Sequence, residues 1–191
     1  MYKAVATLAS ILGLTSVSLA SNNQGFQYQI PVSADFPMEQ AAGNMNFGLE
    51  LPVPLPLNLR AILKTSLRVD NGFKGGAEFL GGYGFGLERK FDGFSLGASV
   101  LNYSSSRKIH PTNSEEYSLE TGARAFELYG LKTLAETNSA NLDFILSVIT
   151  RTGEQTRTSL SNTTTTKISG TSLKLGFIVT KKIGASDEET N

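Results

Sequence analysis

The chain has no cysteine among its 191 residues. Small exported domains often depend on disulfides for stability, so this one must be held together by other means. It also lacks an excess of either charge. Lys and Arg number 17 against 17 Asp and Glu, which leaves no basic surface on which nucleic-acid binding could be argued. Past residue 20 there is no apolar run of the roughly 18 residues that a membrane-crossing helix needs. Strands are not excluded by that absence, because their hydrophobicity is hidden in alternation.

What the sequence does contain starts with a leader. "MYKAVATLASILGLTSVSLA" has Lys3, then a largely apolar stretch over 4–14, and it closes on Ser18-Leu19-Ala20. Small residues at the −3 and −1 positions mark a signal-peptidase site. The expected organisation is a cleaved signal peptide at 1–20, one domain over 21–183 and a short acidic periplasmic tail at 184–191.

The stretch "MNFGLELPVPLPLNLRAILKTSLRV" (45–69) alternates strictly. Twelve of its thirteen odd positions are apolar, Thr65 being the exception, whereas Ile62 is the single aliphatic residue at the even positions. Period-2 patterning of this kind means strand. Three prolines at 52, 54 and 56 interrupt it, and odd parity is preserved across them. A three-residue turn at Pro54-Leu55-Pro56 fits, because an odd loop keeps facing residues on one side. Further alternating segments appear at 26–32, 77–87, 94–100, 117–123, 142–148 and 173–179. With the two strands of the opening stretch they make eight. Parity inverts between the fourth and fifth, as the four residues 90–93 require. Asn71-Gly72 suggests a two-residue turn, but parity is preserved there, so a three-residue loop or a bulge near Gly75-Gly76 is expected to absorb the difference. In "ARAFELYGLKTLAET" the phase blurs: Glu127 falls on the apolar face, and a bulge or twist is expected to absorb it.

Three features decide which face points outward. Strands at 57–69 and about 75–89 are longer than the roughly 5–6 residues usual in soluble sheets and long enough for the roughly 9–11 of a bilayer crossing. The polar face carries small residues, Gly48, Gly76, Gly82, Gly84, Gly86, Gly97, Gly122 and Gly176, which suit the narrow interior of an eight-stranded barrel. Charges also collect on it: Glu50, Glu78, Glu88, Glu120 and Asp143 against Arg60, Lys64, Arg68, Arg124, Arg151 and Lys174. Five acids facing six bases form a compensated lumen network of the kind a buried interior requires. The expected fold is therefore an all-β, eight-stranded antiparallel up-and-down transmembrane β-barrel, with lipid outside and charge inside.

Eight alternating strands behind a signal peptide resemble the small outer-membrane barrels of the OmpA, OmpX and OmpW types. The last strand, "SLKLGFIVTKKI", partly resembles their C-terminal insertion signal. The resemblance implies a bacterial outer-membrane location, a lipid bilayer and outer-membrane lipids as surroundings, and a monomer. It also implies a structural or adhesin-like role for long polar loops, here at 34–44, 104–116 and 152–167, which would face a surface ligand or envelope partner. A narrow OmpW-like conduit for small hydrophobic or ionic solutes is the main alternative, and a soluble exported lipid-binding barrel is a second.

Catalytic signals are weak. The one histidine, His110, lies in the polar loop "SSSRKIHPTNSEE" beside Ser104 to Ser106, Ser114, Glu115 and Glu116. Nucleophilic catalysis needs a fixed base–nucleophile pair, and a proline-broken loop does not supply one. A lone histidine without cysteine is a poor metal site. No catalytic residue, cofactor or metal is expected, and no nucleic-acid partner. The alternating glycines of "GGYGFGLE" (81–88) share one strand face, so they are better explained by packing than by phosphate binding.

Overall fold

The computed structural model describes residues 26–38, 44–70, 78–109 and 116–183. Strict alternation gives eight antiparallel strands: β1 (Phe26–Pro37), β2 (Asn44–Leu55), β3 (Leu59–Asp70), β4 (Glu78–Lys90), β5 (Phe94–Ile109), β6 (Tyr117–Glu136), β7 (Ala140–Ser159) and β8 (Thr163–Ile183). Each pairs with the next, and β8 pairs back onto β1, so the sheet closes on itself. Closure removes the unpaired edges that an open sheet would leave. The predicted leader at 1–20, the tail at 184–191, His110, Gly76 and the Asn71-Gly72 turn all lie outside the described residues.

Apolar side chains point outward. Tyr83 and Phe85 are 67% and 65% exposed, and Leu96, Leu128, Leu146 and Phe177 join them around the wall. The opposite faces carry Glu50, Lys64, Glu88 and Lys174, all buried. A soluble barrel carrying lipid in its interior would have these faces reversed.

Several expectations about turns and loops are corrected. The β2–β3 reversal is three residues long, as parity demands, but it falls at Pro56-Leu57-Asn58. Leu57 and Asn58 there adopt left-handed backbone angles (φ 62 and 59), and the Leu59 amide donates to the Pro56 carbonyl at 3.3 Å. Pro52 and Pro54 lie inside β2, opposite Ile62 and Arg60. At the next turn β4 runs to Lys90 and pairs it with Ser95, so parity inverts as expected.

Among the described residues, the three long loops are mostly strand. Residues 34–37 belong to β1, 104–109 to β5, and 152–159 and 163–167 to β7 and β8, with the β7–β8 reversal held by a bond from the Ser159 amide to the Asn162 carbonyl. The barrel is consequently lopsided. β1, β2 and β3 have 12 residues each, while β6, β7 and β8 have 20, 20 and 21. At about 3.4 Å per residue, the taller strands rise far past the shorter ones.

Register shows what the extra length is for. Ala98, Leu128, Val148 and Leu173 stand side by side across β5 to β8, an entirely apolar outer row. Four residues further along each strand, past a mixed row of Val100, Phe126, Thr150 and Thr171, the row is Asn102, Arg124, Thr152 and Ser169, entirely polar. Beyond that row, four strands continue as a sheet whose outer face is Ser, Thr, Glu and Lys. Among the described residues, one edge is β8 above Ser172, its last partner on β1 being Pro37, and the other is β5 above Ser104, the last residue to pair with β4.

Candidate functional site: the charged interior

Inward positions alternate between charged and apolar layers. On β6 the successive inward residues are Ala125, Glu127 and Tyr129; on β7 they are Ile149, Ser147 and Ile145. Leu80, Leu101, Tyr103, Ala125 and Ile149 form one apolar layer. Tyr129, Leu131, Ile145 and Ile178 form the other. Two inward glycines make room for the rings: a Cβ on Gly82 would stand 2.7 Å from the Tyr103 ring, and one on Gly97 would collide with Tyr129.

Between these layers sits Glu127, 1% exposed. Its carboxylate accepts from Ser99 Oγ and Ser147 Oγ, each at 2.9 Å, from Lys64 Nζ at 3.4 Å and from Lys174 Nζ. Four donors occupy the acceptor sites that an ionised carboxylate offers. Lys64 also meets Glu50 at 3.2 Å and lies over the Tyr129 ring at 4.3 Å. Toward the short turns, Glu88 pairs with Arg60 and accepts from the Tyr129 hydroxyl at 3.5 Å. Toward the tall end, Asp35 pairs with Arg151 and lies 3.7 Å from Arg68, while Arg151 donates to Ser172 at 2.9 Å. Asp143 accepts from Thr133 at 2.7 Å. Removing one member of such a buried set leaves its partners uncompensated, which is what makes the set rigid.

Of the residues expected in the lumen, Glu50, Lys64, Arg68, Glu88, Asp143, Arg151 and Lys174 are buried there, and Arg60 sits at the rim with 21% of its side chain exposed. Glu78 opposes Asp70 in the β3–β4 ladder, and its side chain is outside the described residues. Glu120 and Arg124 are corrections: both are exposed on the outer face of β6, as is Gly122. The physical reason is that the inward face keeps one parity along β6 while the residues on it change character. In the upper half of β6, Glu120 and Arg124 lie outside and the less polar residues Tyr117, Leu119 and Ala123 turn inward. In the lower half the apolar residues Phe126 and Leu128 turn outward and Glu127 turns in. Pairing with β7 is unbroken from Tyr117 to Thr133, so no bulge lies at Glu127; the one register shift with β7 in this stretch comes later, between Thr133 and Ala135.

Two central acids escape a reading of the sequence. Carrying the upper-half phase of β6 downward puts Glu127 on the wrong face. Asp35, 0% exposed, falls in a stretch that reads as loop, although Ala34 and Phe36 continue the alternation of β1 around it. No group of His, Cys, Asp and Glu able to hold a metal ion occurs among the described residues.

No protein-family model matches the sequence, and no curated protein does either. Among solved structures, the chain is similar to a major outer membrane protein from Thermus thermophilus, at 10% identity and a TM-score of 0.52, covering 82% of this chain and 98% of that one. The β domain of the Bordetella autotransporter BrkA aligns at 16% identity, over 80% of this chain and 69% of that one, with a TM-score of 0.37 too low to carry an argument. At these identities the likeness is one of fold. The chain is an all-β, eight-stranded, up-and-down antiparallel barrel of the kind seen in an outer-membrane protein.

Proposed function

We propose that the chain is an outer-membrane barrel with a closed interior, and that its surface role is carried by the four-stranded sheet rising from β5 to β8. The observation that carries this reading is the aligned change of outer row, from Ala98–Leu128–Val148–Leu173 to Asn102–Arg124–Thr152–Ser169. A level boundary across four strands is what a bilayer surface imposes, since charge on a lipid-facing position is costly. Crossing takes about 9–11 residues per strand, so roughly half of the 20 residues in β6 and in β7 stand in water.

The sheet replaces the flexible loops as the partner-facing part. It is stiff, rich in Thr and Ser on its outer face, and bounded by two strand edges that can pair with an extended segment of a partner. This supports a structural or adhesive role and involves no catalytic step. The conduit alternative is disfavoured by the two apolar layers and the ion-paired core that fill the lumen, as expected for eight strands.

Cell fractionation with boiled and unboiled samples on SDS gels tests the location. The protein is expected in the detergent-requiring outer-membrane fraction, with a heat-dependent mobility shift. Recovery in a soluble fraction with no shift would refute the membrane reading. Planar-bilayer recording should show no steady current from the purified monomer.

A further inference from the structure

The wall of the barrel is not uniform. Successive residues of a strand turn their amide groups alternately to the two neighbouring strands. Pro52 and Pro54 remain in register with β3 although they have no N–H to give, so Leu51, Val53 and Leu55 supply the bonds to β3 and the even residues of β2 face β1. On β1 the Met38 amide, just past the strand, donates to Thr171 of β8, so even residues face β8 and odd ones, Pro31 among them, face β2. Pro31 therefore withholds a donor from the β1–β2 seam, and Pro52 and Pro54 turn their donor-less nitrogens to the same side of β2. The pairing is interrupted at Pro31: Gln29 pairs with Glu50, and pairing resumes only at Val32 with Phe47. The seams on either side, β1–β8 and β2–β3, are continuous.

Directly behind this gap lies a cavity of about 30 Å3, with Pro31 and Gly48 in its wall and Ser33, Asn46, Lys64 and Lys174 facing it. Asn46 is 8% exposed, and neither its amide nitrogen nor its amide oxygen has a hydrogen-bond partner in the protein. A buried amide in that state costs stability unless something binds it. Both ammonium groups are already matched, Lys64 by Glu50 and Glu127, Lys174 by Glu127, so the charge balance of the site requires no ion. A polar cavity needs about 10–15 Å3 to admit a water molecule, and this one exceeds it. Along the axis, the cavity is stopped on one side by Leu101 and Ile149 and beyond Glu127 by the layer of Tyr129 and Ile145.

We propose that Asn46 holds long-lived internal water in this cavity, and that the water exchanges through the proline-weakened β1–β2 seam and not along the barrel axis. The interior would thus be closed lengthwise yet open, slowly, through its side.

The test uses the full, isotopically labelled chain folded into detergent micelles. Magnetisation transfer from water to the Asn46 carboxamide should give cross-peaks with the sign of a bound water. Their absence would overturn the site. Deuterium exchange at the same carboxamide tests the path. Pro31→Val restores a donor to the seam and should slow exchange roughly three- to tenfold, the worth of one backbone hydrogen bond. Pro52→Val, which gives β2 a donor on the side facing β1, takes its place if Pro31→Val does not fold. An unchanged rate, or one that responds to Leu101→Ala instead, would overturn lateral exchange. A bromide ion bound at Asn46 in a bromide-soaked crystal would overturn the assignment to water.

Discussion

The upper and lower halves of β6 follow opposite rules on one unbroken strand. Below Ala125, acid turns in and hydrocarbon turns out, with Glu127 buried and Phe126 and Leu128 exposed. Above it, acid turns out and the less polar side chains turn in, with Glu120 exposed and Leu119 buried. Backbone geometry does not distinguish the two sides of Ala125, since register with both neighbours is unbroken from Tyr117 to Lys132. What differs is the outer face itself, apolar below and polar above, as a bilayer ending at this level would require. A period-2 pattern reports which face is buried only when the solvent on the other side is known.

The comparison can be broken most directly at its two glutamates. Glu127→Ala leaves Lys174 without its partner and Lys64 with Glu50 alone, and should cost about 3–5 kcal/mol, as for loss of one partner from a buried ion pair. Glu120→Ala should stay within about 0.5 kcal/mol, as surface changes do. Urea titration of the protein in micelles, with the folded fraction read by gel mobility, checks both. Comparable losses at the two sites would mean that the halves are not distinct.

A charge placed on the outer face gives the next largest effect. Leu128→Arg should cost about 2–4 kcal/mol in lipid vesicles, the range for arginine facing the bilayer midplane. Thr152→Arg, on the polar row, should cost little. If both are tolerated, no bilayer covers the lower half.

Replacing 155–167 by a short turn sharpens the boundary from above. The truncated chain is expected to keep the heat-dependent gel shift of the full barrel, because the removed strands pair only with each other and with the upper part of β6. Loss of the shift would show that the projecting sheet is needed for the barrel to form.

The smallest effect lies at the opposite rim, in water. Glu136 accepts a hydrogen bond from Lys182 at 3.2 Å, and that bond, helped by the lysine's charge, lowers the carboxyl's pKa below its ordinary value. A lowered native pKa adds stability above the unfolded-state value of about 4.3. That contribution is lost as pH falls through the native value. The pair is exposed, so no more than about 0.5 kcal/mol is at stake. Glu136→Gln should remove this share of the acid sensitivity, seen by comparing urea midpoints at pH 7 and pH 3.

The number of strands, their up-and-down order and the buried positions of Glu50, Lys64, Arg68, Glu88, Asp143, Arg151 and Lys174 are legible in the sequence because the residues around each of them alternate strictly, apolar on one face and polar on the other. Glu120, Arg124 and Glu127 are misread because the outer face of β6 changes from apolar to polar partway along the strand, and no residue announces the change. Asp35 is missed where a polar-looking "SADFP" still alternates. The β2–β3 turn is misplaced by two residues when proline is taken to mark it. In fact β2 tolerates Pro52 and Pro54 where their missing donors fall on the β1 side.

The closing seam sets the order of assembly. β1 and β8 join through twelve consecutive partners, from Phe26 opposite Ile183 to Pro37 opposite Ser172, so the ring cannot close until the far end of the chain has arrived. Contacts so distant in sequence make folding slow, because the entropy of closing the loop is lost before the contacts form. The hairpins of the tall half, by contrast, are local. β6, β7 and β8 can zip from their turns early, leaving β1 to find an edge that is already built.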